Sequence, residues 1–177
     1  MAFLSRDTLK AYGNRATITQ KAAARQRLGT KTAAVRATVF LSHSHHDADL
    51  IEPILVLLAE EGVLVYVDWK DPTMPSMTSP ETASTLKTRI KQCGKFLLLG
   101  TNNALESRWV PWELGIADAQ NGMPNVAIIP VEDRSAVWKG NEYIGIYSRV
   151  ETASDGKMAV FDPGKDRGMY LADWLVK

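Results

Sequence analysis

The chain has 177 residues, of which 45% are hydrophobic and 23% are charged, and this size and composition predict one soluble domain with a full hydrophobic core. No apolar run approaches the roughly 18 residues of a membrane-spanning helix, which argues against a membrane protein. Cys93 is the single cysteine and the start of the chain shows no secretory signal pattern, so we expect no internal disulfide and a cytoplasmic location.

The net charge of +1 hides an uneven distribution of charge along the chain. Within residues 1–36 the only acidic residue is Asp7, while eight residues are basic: Arg6, Lys10, Arg15, Lys21, Arg25, Arg27, Lys31 and Arg36. We therefore expect a basic, helical N-terminal arm over residues 1–36, followed by the main domain over residues 37–177. Tyr12 is the only aromatic residue interleaved with these charges, which argues against nucleic acid as the partner of the arm.

Short apolar runs alternate with amphipathic stretches through the middle of the chain. The predicted strands are Thr38–Ser42, Val63–Asp68, Lys95–Gly100 and Val126–Pro130. The predicted helices begin near Leu50, with Asp47 or Asp49 as N-cap, at Thr82, and at the segment that carries Trp109 and Glu113. This alternation predicts an α/β fold with a doubly wound parallel sheet.

The pattern is weaker after Val131. Either Val150 or Val160 is expected on a fifth strand, and Met169–Val176 is expected to form a closing helix. Between the second predicted strand and the helix predicted at Thr82, the segment Trp69–Pro80 contains three prolines and is predicted to be a long, stiff loop.

Polar side chains follow the predicted strands at their carboxyl ends, where ligands bind in open parallel sheets. This edge is lined by Ser42-His43-Ser44, Asp68-Trp69-Lys70, Thr101-Asn102-Asn103 and the start of the Trp109 helix. The sequence has neither a GxGxxG fingerprint nor a Walker lysine, so a Rossmann dehydrogenase and a P-loop protein are both excluded.

A metal site and a nucleophilic active site are two alternatives that the sequence also allows us to test. The run from His43 to Asp49 is similar to the HxHxDH motif of metallohydrolases, but Ala48 stands where that motif needs a histidine, and the only histidines are His43, His45 and His46. No Gly-x-Ser-x-Gly elbow is present, and Cys93 beside Gly94 is expected to be structural. We therefore expect no metal and no nucleophilic serine or cysteine.

What remains is a single acid, Glu113, one helical turn after Trp109, with Trp112 expected in the core. On its own this stretch also fits a core helix with an ordinary solvated glutamate. A lone carboxylate beside an aromatic side chain suits cleavage of a glycosidic bond whose leaving group needs no acid. Nicotinamide leaving from NAD⁺ is such a case, because it departs as a neutral molecule and leaves an oxocarbenium-like ribose.

Four stretches in order make the chain resemble the Toll/interleukin receptor (TIR) domain family, in particular its free-standing bacterial members. They are the segment Val39–Ser44, the strand Val63–Asp68 with the long loop after it, the segment Phe96–Thr101, and the segment Ser107–Leu114. The resemblance implies a flavodoxin-like fold and, in many members, an activity that cleaves NAD⁺ to nicotinamide and ADP-ribose or a cyclic isomer. The sequence leaves the choice between the linear and cyclic product open.

The resemblance also implies roles for individual residues. Glu113 matches the catalytic glutamate of the family and Trp109 matches the tryptophan before it. Ser42, His43, Ser44, Asp68, Trp69 and Lys70 are expected around the ribose and phosphates, the last two on the loop known in the family as the BB loop. NAD⁺ is then a substrate and no cofactor is needed.

Partners follow from the resemblance as well. Family members commonly self-associate, and several make signals in anti-phage defence that a downstream effector reads. Other members are adaptors without activity, so a non-catalytic scaffold that acts by TIR–TIR association is the alternative. Glu113 with its aromatic partner favours the enzyme.

Overall fold

The computed structural model describes residues 3–26, 39–61, 64–67, 79–132, 140 and 142–177. Within them, eight strands form one sheet: β1 Leu4–Ser5, β2 Val39–Ser42, β3 Val65–Tyr66, β4 Lys95–Gly100, β5 Val126–Glu132, β6 Ser148–Thr152, β7 Met158–Phe161 and β8 Gly168–Tyr170. Seven of them lie in the order β3-β2-β4-β5-β6-β7-β8, and β1 pairs with β5 off this path. The neighbouring strands from β3 to β6 in this order are parallel. This is the order of a flavodoxin-like fold, so the predicted doubly wound α/β fold is confirmed.

Helices cover both faces of the sheet. They are α1 Arg6–Arg15, α2 Ile18–Gln26, α3 Ala48–Glu60, α4 Pro80–Gln92, α5 Asn102–Glu106, α6 Val110–Asn121 and α7 Leu171–Val176. One apolar cluster joins α1, α2, α3 and α7 to one face, and a second joins α4, α5 and α6 to the other. Neighbouring strand residues alternate between them: Leu97 and Leu99 belong to the first cluster, Phe96 and Leu98 to the second. None of the helices in these ranges is long and apolar enough to cross a membrane.

The segment after Val131 differs from the prediction. Val150 and Val160 both lie on strands, β6 parallel to β5 and β7 antiparallel to β6. The closing helix begins at Leu171, because Gly168–Tyr170 pairs with β7 as an eighth strand. The sheet therefore continues as an antiparallel extension beyond its parallel part.

The basic N-terminal segment packs against the rest of the protein. Strand β1 pairs in parallel with the end of β5, and Leu9 and Ala24 are buried in the core cluster of α3. Four ion pairs connect it to acids at the start of α3: Arg6–Asp49, Lys10–Asp49, Lys21–Glu52 and Arg25–Glu52. Residues 27–38 lie outside the described residues, so the division at residue 36 stays a prediction.

Candidate active site

Glu113 lies in the first turn of α6, where the positive end of the helix dipole stabilises a carboxylate. Trp109 is the N-cap, and its carbonyl oxygen accepts the backbone N–H of Glu113 at 2.9 Å. Val110, Leu114 and Ala117 form the buried face that holds the helix on the sheet. Glu113 is only 5% exposed, so the solvated glutamate that the isolated stretch allowed is not what the fold produces.

Ser42 meets Glu113 across the edge of the sheet. It is the last residue of β2 and is 1% exposed, and its hydroxyl donates to Oε2 of Glu113 at 2.6 Å. A hydrogen bond of this length to a carboxylate is a strong, charge-assisted one. The strand order thus brings together two residues that are 71 positions apart.

The two residues after Ser42 continue the same edge. His43 is half-buried, with Nδ1 3.4 Å from the carbonyl oxygen of Leu41. Ser44 is buried, and its hydroxyl accepts the backbone N–H of His46 while its carbonyl accepts that of Asp47. Ser44 therefore shapes the loop in this structure, and its predicted contact with substrate stays a prediction.

Asp47 is a buried residue beside this edge whose contacts the sequence did not reveal. It was expected as a possible helix cap, yet its side chain makes no capping hydrogen bond to α3. The carboxylate is fully buried and accepts from Thr101 at 2.5 Å, from Asn103 at 2.8 Å and from Arg6 at 3.0 Å. Asp47 thus ties the loop after β2 to the loop after β4 and to the N-terminal segment.

The two tryptophans of the α6 region pack edge to face, with ring centroids 5.4 Å apart. Both are half-buried and pack against the second apolar cluster, so Trp112 lies at the margin of the core and not fully inside it. The ammonium group of Lys87 lies 5.7 Å from its ring centroid. Together the two rings form a partly exposed aromatic surface, and both tryptophans lie within four residues of Glu113 in the sequence.

The remaining predicted site residues, Asp68, Trp69 and Lys70, lie outside the described residues together with most of the loop Trp69–Pro80. In the part of the chain that is described, no three histidine, cysteine, aspartate or glutamate side chains are placed to hold a metal ion. Cys93 is buried, and burial raises the pKa of its thiol to about 12, so the reactive thiolate does not form near neutral pH.

Comparison with known proteins agrees with this geometry. A family model of the TIR domain matches residues 39–153, which include Ser42, Asp47, Trp109 and Glu113. The chain is 38% identical over 116 residues to the Bacillus cereus (strain MSX-D12) protein named "Probable 3' cyclic ADP-D-ribose synthase ThsB'", covering 63% of this chain and 59% of that protein. It is 29% identical over 116 residues to the Cytobacillus dafuensis protein named "Putative cyclic ADP-D-ribose synthase TIR2", covering 56% and 31%.

The match thus spans about three fifths of the first relative and about a third of the second. The family match, by contrast, covers more than half of the chain and includes the strands and helices that build the Ser42–Glu113 edge. The chain belongs to the TIR domain family.

Proposed function

We propose that the chain is an NAD⁺ nucleosidase that cleaves the bond between nicotinamide and ribose, with Glu113 as the catalytic carboxylate. The observation that supports this most is the buried Glu113 at the carboxyl edge of the sheet, held by the Ser42 hydroxyl at 2.6 Å. A buried, oriented carboxylate acts on a developing positive charge far more strongly than a solvated one.

The proposed reaction breaks the bond between C1′ of the ribose and the pyridinium nitrogen. The bonding electron pair stays on that nitrogen, so nicotinamide leaves as a neutral molecule and needs no general acid. The ribose becomes an oxocarbenium-like cation, which the carboxylate of Glu113 stabilises while it accepts hydrogen bonds from ribose hydroxyls. Trp109, His43 and Lys70 complete the proposed substrate contacts.

The product depends on the group that captures the ribosyl cation. Water gives ADP-ribose and a proton, whereas a nucleophile within the same ADP-ribose unit gives a cyclic isomer. Both relatives carry the name of a cyclic ADP-D-ribose synthase, which favours the cyclic product for this chain. A small cyclic nucleotide fits the role of a signal that a separate effector reads, as the resemblance to defence proteins suggested.

The test is to incubate the purified protein with NAD⁺, measure nicotinamide release, and identify the other product by chromatography and mass spectrometry. The proposal expects stoichiometric nicotinamide and a product with the mass of ADP-ribose less one water. A product with the full mass of ADP-ribose would support cleavage but overturn cyclisation.

Self-association belongs to the same proposal, because family members commonly complete their site with a loop from a second copy. The assay is therefore run over a range of protein concentrations that extends to the assembled state. If NAD⁺ is left intact at every concentration while the chain still associates, the scaffold alternative replaces the enzyme.

A further inference from the structure

Lys95 is an unusual residue at the edge of the sheet opposite Glu113. It opens strand β4, whose other residues are apolar, and it is only 6% exposed. A lysine is rarely buried so deeply without an acidic partner. Among the described residues no carboxylate lies within salt-bridge distance of Lys95, and its ammonium group instead donates to the neutral side-chain amide oxygen of Asn125 at 2.6 Å.

The ammonium group also lies 4.6 Å from the ring centroid of Trp174. Lys95, Asn125 and Trp174 all line one open groove of about 470 Å³ between the start of β4 and helix α7. This volume is within the range of small-molecule sites, about 300–1,000 Å³. The groove is separated from Thr101, which follows the other end of β4, by about 20 Å of extended chain.

The charge of the groove is positive. Lys95, Arg167 and Lys177 line it, against one carboxylate, Asp162, which already accepts a hydrogen bond from Ser148 at 2.9 Å. The pKa of Lys95 is lowered by burial and by the positive charge of Lys177. In the absence of an anion, the groove therefore disfavours the charged form of the Lys95 amine. An anionic ligand would offset this excess of basic side chains, and phosphorylated compounds are anionic at neutral pH.

We propose that this groove binds a phosphorylated small molecule, with the phosphoryl group held by Lys95, Arg167 and Lys177. The apolar side of the groove, formed by Val160 and Met169, then contacts the organic part of the ligand. The proposal is independent of the NAD⁺ chemistry at Glu113, because no residue is shared between the two places.

The experiment is a titration of the full chain with inorganic pyrophosphate, at ionic strength held constant with sodium chloride. The readout is the NMR signal of the Trp174 indole N–H, which donates to the carbonyl oxygen of Pro124 on the wall of the groove at 3.1 Å. The chain has five tryptophans, so the signal is assigned with Trp174→Phe. We expect a saturable shift that sodium chloride alone does not produce.

Removing a cation tests the assignment. Lys95→Met keeps the apolar stem and removes the charge, Arg167→Gln removes an exposed charge, and each is expected to weaken pyrophosphate binding at least about tenfold. Lys165→Gln is the matched control, because Lys165 is exposed on the same turn and does not line the groove.

Two results would overturn the proposal. One is a wild-type protein whose Trp174 signal shows no saturable shift with pyrophosphate. The other is Arg167→Gln binding as tightly as Lys165→Gln. Circular dichroism checks the fold of each variant, and if Lys95→Met does not fold, the comparison between Arg167→Gln and Lys165→Gln decides.

Discussion

At the scale of single residues, the hydrogen bond between Ser42 and Glu113 is the main support for the proposed activity. A carboxylate that is 5% exposed is costly unless hydrogen-bond donors satisfy it, and the Ser42 hydroxyl at 2.6 Å is one of them. The same bond fixes one carboxylate oxygen in space. Glu113 is therefore held in one orientation before a substrate arrives.

Replacement of Ser42 by alanine tests this positioning. The variant loses a hydrogen bond to a charged group, worth about 1.5–3 kcal/mol. If that bond orients Glu113 in the transition state, kcat falls about tenfold to hundredfold while KM changes little. Ser84→Ala, on the exposed side of α4, is the control and should leave both constants unchanged. A Ser42→Ala enzyme with wild-type kcat would show that the bond serves the fold alone.

Asp47 provides the second residue-scale prediction. Asp47→Asn keeps the shape but removes the charge that Arg6 and Thr101 bind, so we expect a loss of about 3 kcal/mol in the free energy of unfolding. Asp49→Asn is the matched control: Asp49 also pairs with Arg6, but its side chain is 42% exposed, so its loss should be below about 1 kcal/mol. Urea unfolding measures both, and equal losses would contradict the central role of Asp47.

At the scale of elements, the contact between α1 and α3 helps to hold residues 3–26 on the domain. Leu9 is 1% exposed in the core, and a Cβ atom on Gly13 would lie 2.8 Å from Cγ of Pro53, so only glycine allows the helices to pack this closely. Asp49 and Glu52 of α3 then pair with basic residues of α1 and α2. The contact combines an apolar face with ion pairs at its rim.

Leu9→Ala tests whether that apolar face stabilises the whole domain. The change removes buried methyl groups and should lower the free energy of unfolding by about 2–5 kcal/mol. Ile18→Ala is the matched control, because Ile18 on α2 is 88% exposed and its truncation should cost less than about 0.5 kcal/mol. Urea unfolding of both variants gives the comparison, and a Leu9→Ala midpoint equal to that of wild type would mean that α1 does not contribute to the core.

The ion pairs at the rim predict a dependence on pH. The hydrogen bond from Arg25, with help from Lys21, lowers the pKa of Glu52 below its usual value of 4.5. A carboxyl whose pKa is lowered on folding contributes stability above its unfolded pKa, and this contribution is lost as the pH falls through the folded pKa. Glu52→Gln should therefore lower Tm at pH 7, and the difference from wild type should shrink as the pH falls below 4.5 and through the lower folded pKa of Glu52.

The size of this effect is limited by solvent. The Glu52 side chain is 40% exposed and that of Arg25 is 63% exposed, so the pairs are worth less than about 1 kcal/mol. For a domain of this size that corresponds to at most about 4 °C in Tm. Calorimetry of both proteins between pH 7 and pH 3 measures the difference, and a gap that grows toward low pH would contradict the assignment.

At the scale of the whole molecule, the parallel part of the fold was predictable because its signals are local. The apolar run Lys95–Gly100 and the helix of Glu113 can each be recognised from their own residues. Strands β1 and β8 were not predictable, because they have only two and three residues, too few to show a period. Their pairing depends on β5 and β7, which lie far along the chain or across a turn.

The candidate site shows the same division between local and distant signals. Glu113 and Ser42 were predicted at one edge of the sheet because strand order places strand ends together and because their segments resemble a family. The pairing of Arg6 with Asp47 was not predicted, because the two residues are 41 positions apart. From its neighbours alone, Arg6 is one of several basic residues and Asp47 is a possible helix cap. A sequence pattern reports which residues share an edge, and packing decides which of them touch.

The measurement that tests the central claim most directly compares nicotinamide release and NAD⁺ binding in Glu113→Gln. The amide keeps the shape of the side chain but cannot stabilise a ribosyl cation as a carboxylate does. We expect release to fall at least about hundredfold while NAD⁺ still binds, with Glu106→Gln, at an exposed position of α5, releasing nicotinamide at the wild-type rate. Equal release by Glu113→Gln and wild type would contradict the account.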